Sequence, residues 1–156
     1  MRDKEIKKAL VEAERHCSEK GVRFTVKRKL VFEVLLKSDR SLSAYELADY
    51  CRAEQGSELL PMSVYRILDF LENEGLVHRL KTTNKFIACS HISCAHEHQA
   101  WQFLICQNCD KVKEVDLEKS IVNKIANAIH DVGFHIAGRQ LELEGVCSDC
   151  SVSRDH

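Results

Sequence analysis

Pro61-Met62-Ser63-Val64-Tyr65-Arg66-Ile67-Leu68-Asp69-Phe70-Leu71-Glu72, closed at Gly75, is the stretch that decides the fold of the first half of this chain. The only proline sits where a first helical turn tolerates it, because that turn's N–H groups have no intrahelical acceptor anyway. Val64, Ile67, Leu68 and Leu71 recur at spacings of three and four and line one face of a helix. Two short strands follow, about Leu76–Leu80 and Phe86–Cys89, joined by a polar turn through Thr82-Thr83-Asn84. Working upstream, Ser43-Ala44-Tyr45-Glu46 matches a capping box, in which each side chain satisfies the other's backbone donor. The helix it starts carries Leu47, Ala48 and Cys51. Before it, Thr25 can cap a helix whose apolar face uses Leu30, Val31, Val34 and Leu35. A first helix carries Ile6, Leu10, Ala13 and Cys17 and ends near Gly21. Helices followed by a hairpin describe a winged helix-turn-helix.

Such domains lay their second helix in the major groove, with its N-terminal residues against base edges. Here those residues are Ser63, Tyr65 and Arg66. Arg66 can make a bidentate contact to guanine, and Tyr65 can touch a thymine methyl or a phosphate. Lys27, Arg28 and Lys29 open an earlier helix and can clamp phosphates. The plainer alternative makes Tyr65 part of the core and Arg66 a solvated charge. Asp49 and Arg52 lie three apart on one exposed face, where an intrahelical ion pair of little weight is the plain reading.

The second half is organised by cysteine. Cys106-Gln107-Asn108-Cys109 and Cys147-Ser148-Asp149-Cys150 are two C-x-x-C turns with 37 residues between them. Each turn presents two thiols to one ion, and four soft ligands make a structural tetrahedral zinc site. Disulfides or a redox motif are the alternatives, and nothing else in the chain suggests export or a thioredoxin-like unit. Around the turns, Trp101–Cys106 and Lys111–Val115 read as strands. Asp116 can cap a helix striped by Ile121, Ile125 and Ile129, which Gly133 ends. Phe134–Glu144 reads as a strand with Leu141/Leu143 alternating against Glu142/Glu144. Ser90–Glu97 is polar and His/Cys-rich and marks a boundary. The fold class expected is α+β, with a winged-helix domain over 1–89, a hinge over 90–98 and a metal-binding domain over 99–156. Further ligand types crowd the junction: His78 and Cys89 on the wing, His91, Cys94, His96 and His98 in the linker, and Glu114 and Asp116 beyond the first C-x-x-C. One thiolate with imidazoles and a carboxylate suits Zn²⁺, whereas iron and manganese sensors favour nitrogen and oxygen only.

Composition fits a soluble globular chain: 156 residues, 44% hydrophobic, 30% charged, net charge −1, eight cysteines. No apolar run approaches the roughly 18 residues of a membrane span, and the N-terminus lacks an apolar leader, so a cytoplasmic protein is expected. Residues 1–86 hold 17 Lys+Arg against 14 Asp+Glu, and residues 87–156 hold 6 against 10. A mildly basic half suits a polyanion and an acidic half suits cations.

Three further motifs carry a family resemblance. Arg23-Phe24-Thr25-Val26-Lys27-Arg28 is similar to an R-x-T-x-x-R helix entry, Val64-Tyr65-Arg66-Ile67-Leu68 to a V-Y-R-x-L recognition helix, and Leu104-Ile105-Cys106-Gln107-Asn108-Cys109 to an L-I-C-x-x-C knuckle. Over nearly its full length the chain resembles the ferric uptake regulator family. Ser43-Ala44-Tyr45-Glu46-Leu47, Leu68-Asp69-Phe70-Leu71 and Thr83-Asn84 before the second wing strand look like its zinc uptake regulator branch. The resemblance implies a homodimer with a small α/β dimerisation domain and two zinc ions per protomer. The structural zinc falls on Cys106, Cys109, Cys147 and Cys150. The regulatory zinc falls on His78, Cys89, Glu114 and one linker histidine, His98 with His96 as the alternative. The iron branch has a run of histidines just before L-I-C, and this chain has Trp101-Gln102-Phe103 there. The branch also implies DNA contacts from Tyr45 and Arg66, and a role for Asp49 and Arg52 where neighbouring dimers meet on one operator.

The function expected is a zinc-responsive transcriptional repressor on double-stranded DNA, controlling zinc-uptake genes with zinc as co-repressor. Rivals are an iron, manganese or peroxide sensor, a zinc-stapled interaction module, and a zinc enzyme. Against the enzyme, four thiolates leave no open metal position and no H-x-E pairs with a P-C-x-x-C. Cys17, Cys51 and Cys94 receive no role.

Overall fold

The computed structural model describes residues 3–89, 92, 101–137 and 140–152. The chain divides into two compact units, Met1–Ala95 and His96–His156.

The first unit is four helices and a hairpin: α1 (Asp3–Glu19), α2 (Val26–Lys37), α3 (Ala44–Gln55), α4 (Pro61–Asn73), β1 (Val77–Leu80) and β2 (Lys85–Ala88). The α1 stripe Ile6, Leu10, Ala13 and Cys17 is buried, and Gly21 turns the chain out at φ +71°. Thr25 Oγ1 caps α2 by accepting from the Arg28 N–H. The sequence assigned α2 a single apolar face of four residues. It instead buries Leu30, Val31, Phe32, Val34, Leu35 and Leu36, because it is the central helix with neighbours on several sides. The Ser43–Glu46 capping box is formed at the start of α3. On α4 the expected face, Val64, Ile67, Leu68 and Leu71, is buried, and Pro61 opens the helix.

The wing is antiparallel, with Val77 opposite Ala88 and Leu80 opposite Lys85. Asn84 takes the left-handed turn position at φ +54°, which its short polar side chain tolerates. Leu42, just before α3, bridges to Phe86 of β2 and so ties the wing to the helix-turn-helix.

The second unit holds β3 (Trp101–Cys106), β4 (Val112–Val115), α5 (Lys119–Asp131), β5 (Gln140–Gly145) and α6 (Ser148–Val152). The sheet order is β4-β3-β5, with β3 antiparallel to β4 and parallel to β5. On β3, Phe103, Ile105 and Cys106 are buried. The structure departs from two expectations. Asp116 does not cap the helix: α5 begins at Lys119 after Glu118, with no side-chain cap. The strand expected from Phe134 begins only at Gln140, and residues 134–137 have no regular structure. None of the α5 residues is buried within the single chain, although Ile121, Ile125 and Ile129 share a stripe.

Candidate metal centre and nucleic-acid interface

The four-cysteine group is built by strand ends. Parallel pairing carries β3 and β5 side by side until Cys106 stands opposite Gly145. Each strand then enters its C-x-x-C turn at the same level. Gln107 N–H donates to the Gly145 carbonyl at 2.9 Å, and Cys147 N–H donates to Cys106 Sγ at 3.3 Å. Side chains cross-link the turns as well: Lys111 Nζ lies 2.7 Å from Asp149 Oδ2, and Gln107 Nε2 donates to Glu144 Oε2 at 3.2 Å. One ligand atom from each of Cys106, Cys109, Cys147 and Cys150 falls within 4.8 Å of all the others. Tetrahedral zinc with Zn–S bonds near 2.3 Å requires sulfurs about 3.8 Å apart. Cys109 Sγ and Cys147 Sγ are 3.7 Å apart. None of the described cysteines is in a disulfide. The four thiols therefore fit a divalent soft cation.

Their proton affinities are split by the same crowding. The Cys147 N–H donating to sulfur brings the Cys106 thiol down to about 6. Hydrogen bonding with the Cys147 and Cys109 sulfurs pushes Cys150 up to about 12. A cation that replaces the shared protons removes this frustration, which couples metal binding to proton release.

On the wing, His78 stands in β1 and Cys89 follows β2, both buried. Cys89 N–H donates to the Leu76 carbonyl at 2.9 Å, which fixes the thiol beside β1. The His78 and Cys89 ligand atoms lie within 4.8 Å of each other. Glu114 is a half-buried residue of β4, opposite Phe103. Asp116 is exposed. His91, Cys94, His96 and His98 lie outside the described residues.

The residues expected on DNA divide by their surroundings. Tyr45 is 64% exposed at the start of α3, and Ser63, Arg66 and Lys27 are exposed. Tyr65 is half-buried and packs on the core. Arg28 is also half-buried. Its guanidinium lies over the Phe70 ring, 3.7 Å from the centroid, and donates to the Arg23 carbonyl. Sequence periodicity could not show this stacking, because it joins residues 42 apart on two helices. Asp49 and Arg52 approach to 3.8 Å within α3, both largely exposed.

The model of the Ferric uptake regulator family matches residues 19–144. The zinc uptake regulation protein of Escherichia coli (strain K12) is 33% identical over 90% of this chain and 80% of its own. Among solved structures, a zinc uptake regulator complexed with zinc and DNA superposes with a TM-score of 0.80 at 29% identity, covering 97% of this chain and 98% of that one. The crystal structure of holo XcZur gives a TM-score of 0.71 at 34% identity, covering 92% and 96%.

Proposed function

This chain belongs to the Ferric uptake regulator family, and from that premise we propose that it is a zinc-responsive, DNA-binding transcriptional repressor with zinc as co-repressor. The observation that carries the choice of zinc is the buried Cys89 thiol within 4.8 Å of the His78 imidazole on the wing. A thiolate beside an imidazole suits zinc, and sensors of iron, manganese or peroxide would be expected to build from nitrogen and oxygen alone. In this reading two zinc ions serve each protomer. Cys106, Cys109, Cys147 and Cys150 hold the structural one. His78, Cys89, Glu114 and His98, with His96 as the alternative, hold the regulatory one. Zinc supplies a charge-compensating centre that these residues cannot complete without it. With ligands drawn from wing, linker and second unit, a bound zinc would couple the winged helix to the sheet unit.

A homodimer is the second part of the proposal. The Ile121, Ile125 and Ile129 stripe of α5 leaves no residue of that helix buried in one chain. The sheet unit also has a pocket of about 430 Å³ beside Leu104, Leu143 and Val146, which are 43%, 49% and 40% exposed. A second copy would cover such surfaces. Two winged helices at a fixed separation can then read half-sites about one helical turn apart. Tyr45, Ser63, Tyr65 and Arg66 contact the operator, with Lys27 on phosphate, and the genes controlled are those of zinc uptake. The reading places the protein in the cytoplasm; among the described residues no helix is long and apolar enough to cross a membrane.

The test is Cys89→Ser. The variant should keep its fold and its tightly held zinc and lose zinc-dependent DNA binding. Unchanged zinc activation would sink the assignment and favour a sensor built from hard ligands. His98→Ala should behave in the same way; if His96→Ala does so instead, the linker ligand is His96.

A further inference from the structure

The capping box of α3 makes one contact that capping does not require. Glu46 Oε2 accepts from the Ser43 N–H at 2.6 Å, and Ser43 Oγ accepts from the Glu46 N–H at 3.1 Å. The other carboxylate oxygen, Oε1, lies 3.7 Å from Lys85 Nζ at the start of β2. One residue further along β2, Phe86 exchanges two backbone hydrogen bonds with Leu42, at 2.8 and 3.0 Å. The first turn of α3 and the base of the wing are thus joined by backbone and by charge. Tyr45, 64% exposed, stands in that same turn.

A carboxylate beside DNA-facing residues repels phosphates at every sequence. Stability explains little of it, since at 3.7 Å and with its carboxylate 45% open to solvent the pair is long and partly screened, although Lys85 is only 22% open. We infer that Glu46 is a specificity-determining residue: it holds Lys85 against α3 and away from the DNA backbone, so that sequence-independent binding is suppressed. The inference rests on the DNA-binding function proposed above. Backbone affinity grows with each phosphate neutralised and carries no sequence information. A lysine committed to a carboxylate releases no counterion from DNA, so base readout by α4 keeps a larger share of the total affinity.

The experiment compares the zinc-loaded full-length protein with E46Q, K85M and the E46Q/K85M double variant. Glutamine keeps an oxygen for the Ser43 N–H, so the cap survives. Two 30-base-pair duplexes are titrated by fluorescence anisotropy across a salt series: one of random sequence, one selected from a random pool by the wild-type protein. E46Q should bind the random duplex about two- to fivefold more tightly near 0.1 M salt, the most that a pair this weak can withhold, and steepen its log–log salt slope by up to about 0.9. Its preference for the selected duplex should fall by a similar factor. K85M in the E46Q background should cancel the gain, and K85M alone should bring no gain on the random duplex. An unchanged E46Q slope beside a wild type that binds overturns this inference alone. A gain that survives K85M also overturns it, leaving simple repulsion as the cause. Wild type failing on both duplexes overturns the DNA-binding reading together with it.

Discussion

Arg28 sits in a basic run that invites a phosphate contact, yet its side chain is already engaged. The guanidinium stacks 3.7 Å from the Phe70 ring centroid and donates to the Arg23 carbonyl. It thereby ties the entry of α2 to α4, the helix that presents Ser63 and Arg66. A half-buried cation over a ring contributes about 1 kcal/mol, between the exposed and desolvated limits. A hydrogen bond from a charged donor contributes about 1.5 kcal/mol. Arg28→Ala should therefore cost about 2–3 kcal/mol of stability. Arg28→Lys keeps the charge but loses the planar fork that stacks and donates at once, and should cost about 1–2 kcal/mol. Lys27→Ala, one residue away and exposed, should stay within about 0.5 kcal/mol of wild type. The assay is urea unfolding of the DNA-free protein followed by helical circular dichroism. If Arg28→Lys matches wild type while Arg28→Ala loses only DNA affinity and salt slope, the stacking carries no energy and Arg28 is a phosphate contact after all.

Other outcomes follow from the same geometry. Cys109→Ser should lose the tightly held zinc and yield a less helical or monomeric protein, because metal binding at four thiolates is folding free energy; sedimentation with zinc analysis would refute this by finding a metal-depleted, well-folded dimer. Arg66→Ala should cost about 1–3 kcal/mol on the operator and relax one base position, whereas Lys27→Ala should weaken all sequences and lower the salt slope by about one; equal losses on specific and random DNA would make Arg66 a backbone contact. The Asp49–Arg52 pair within α3 is worth only about 0.3–0.5 kcal/mol, so charge reversal at Asp49 should leave a first dimer's binding unchanged. If the pair instead bridges neighbouring dimers, that reversal should abolish loading of a second dimer on a long operator and reversal of Arg52 should restore it; an unchanged ratio of the two complexes makes it local surface charge.

Most of the first unit is legible in the sequence because its signals are local. The α4 stripe, the Thr25 and Ser43 caps and the wing turn each lie within one element, and helix and strand periods report them directly. What periodicity misses is set by neighbours. Phe32 and Leu36 are buried because α2 has partners on several sides, and Arg28 stacks on a ring that only tertiary structure brings to it. In the second unit, Asp116 offers a cap by residue type, but the chain reaches Lys119 before turning helical, so propensity alone misplaced the start. The four-thiol group was legible because C-x-x-C spacing fixes its own local geometry, and parallel β3–β5 pairing supplies the rest. The wing pair needed strand pairing as well as composition: His78 stands opposite Ile87, and Cys89 lies two residues beyond it. The Glu46–Lys85 contact escaped because a capping box explains its glutamate completely at the level of sequence.

In the proposed function, zinc beyond the structural ion licenses DNA binding. The direct measurement is a titration of mildly chelated protein with buffered free zinc, reading DNA anisotropy and zinc bound per protomer in the same samples. One zinc should be retained with no specific binding at the start, and binding should then rise in step with a second zinc. DNA binding already complete with one zinc, or restored equally by manganese or iron at vanishing free zinc, would contradict it.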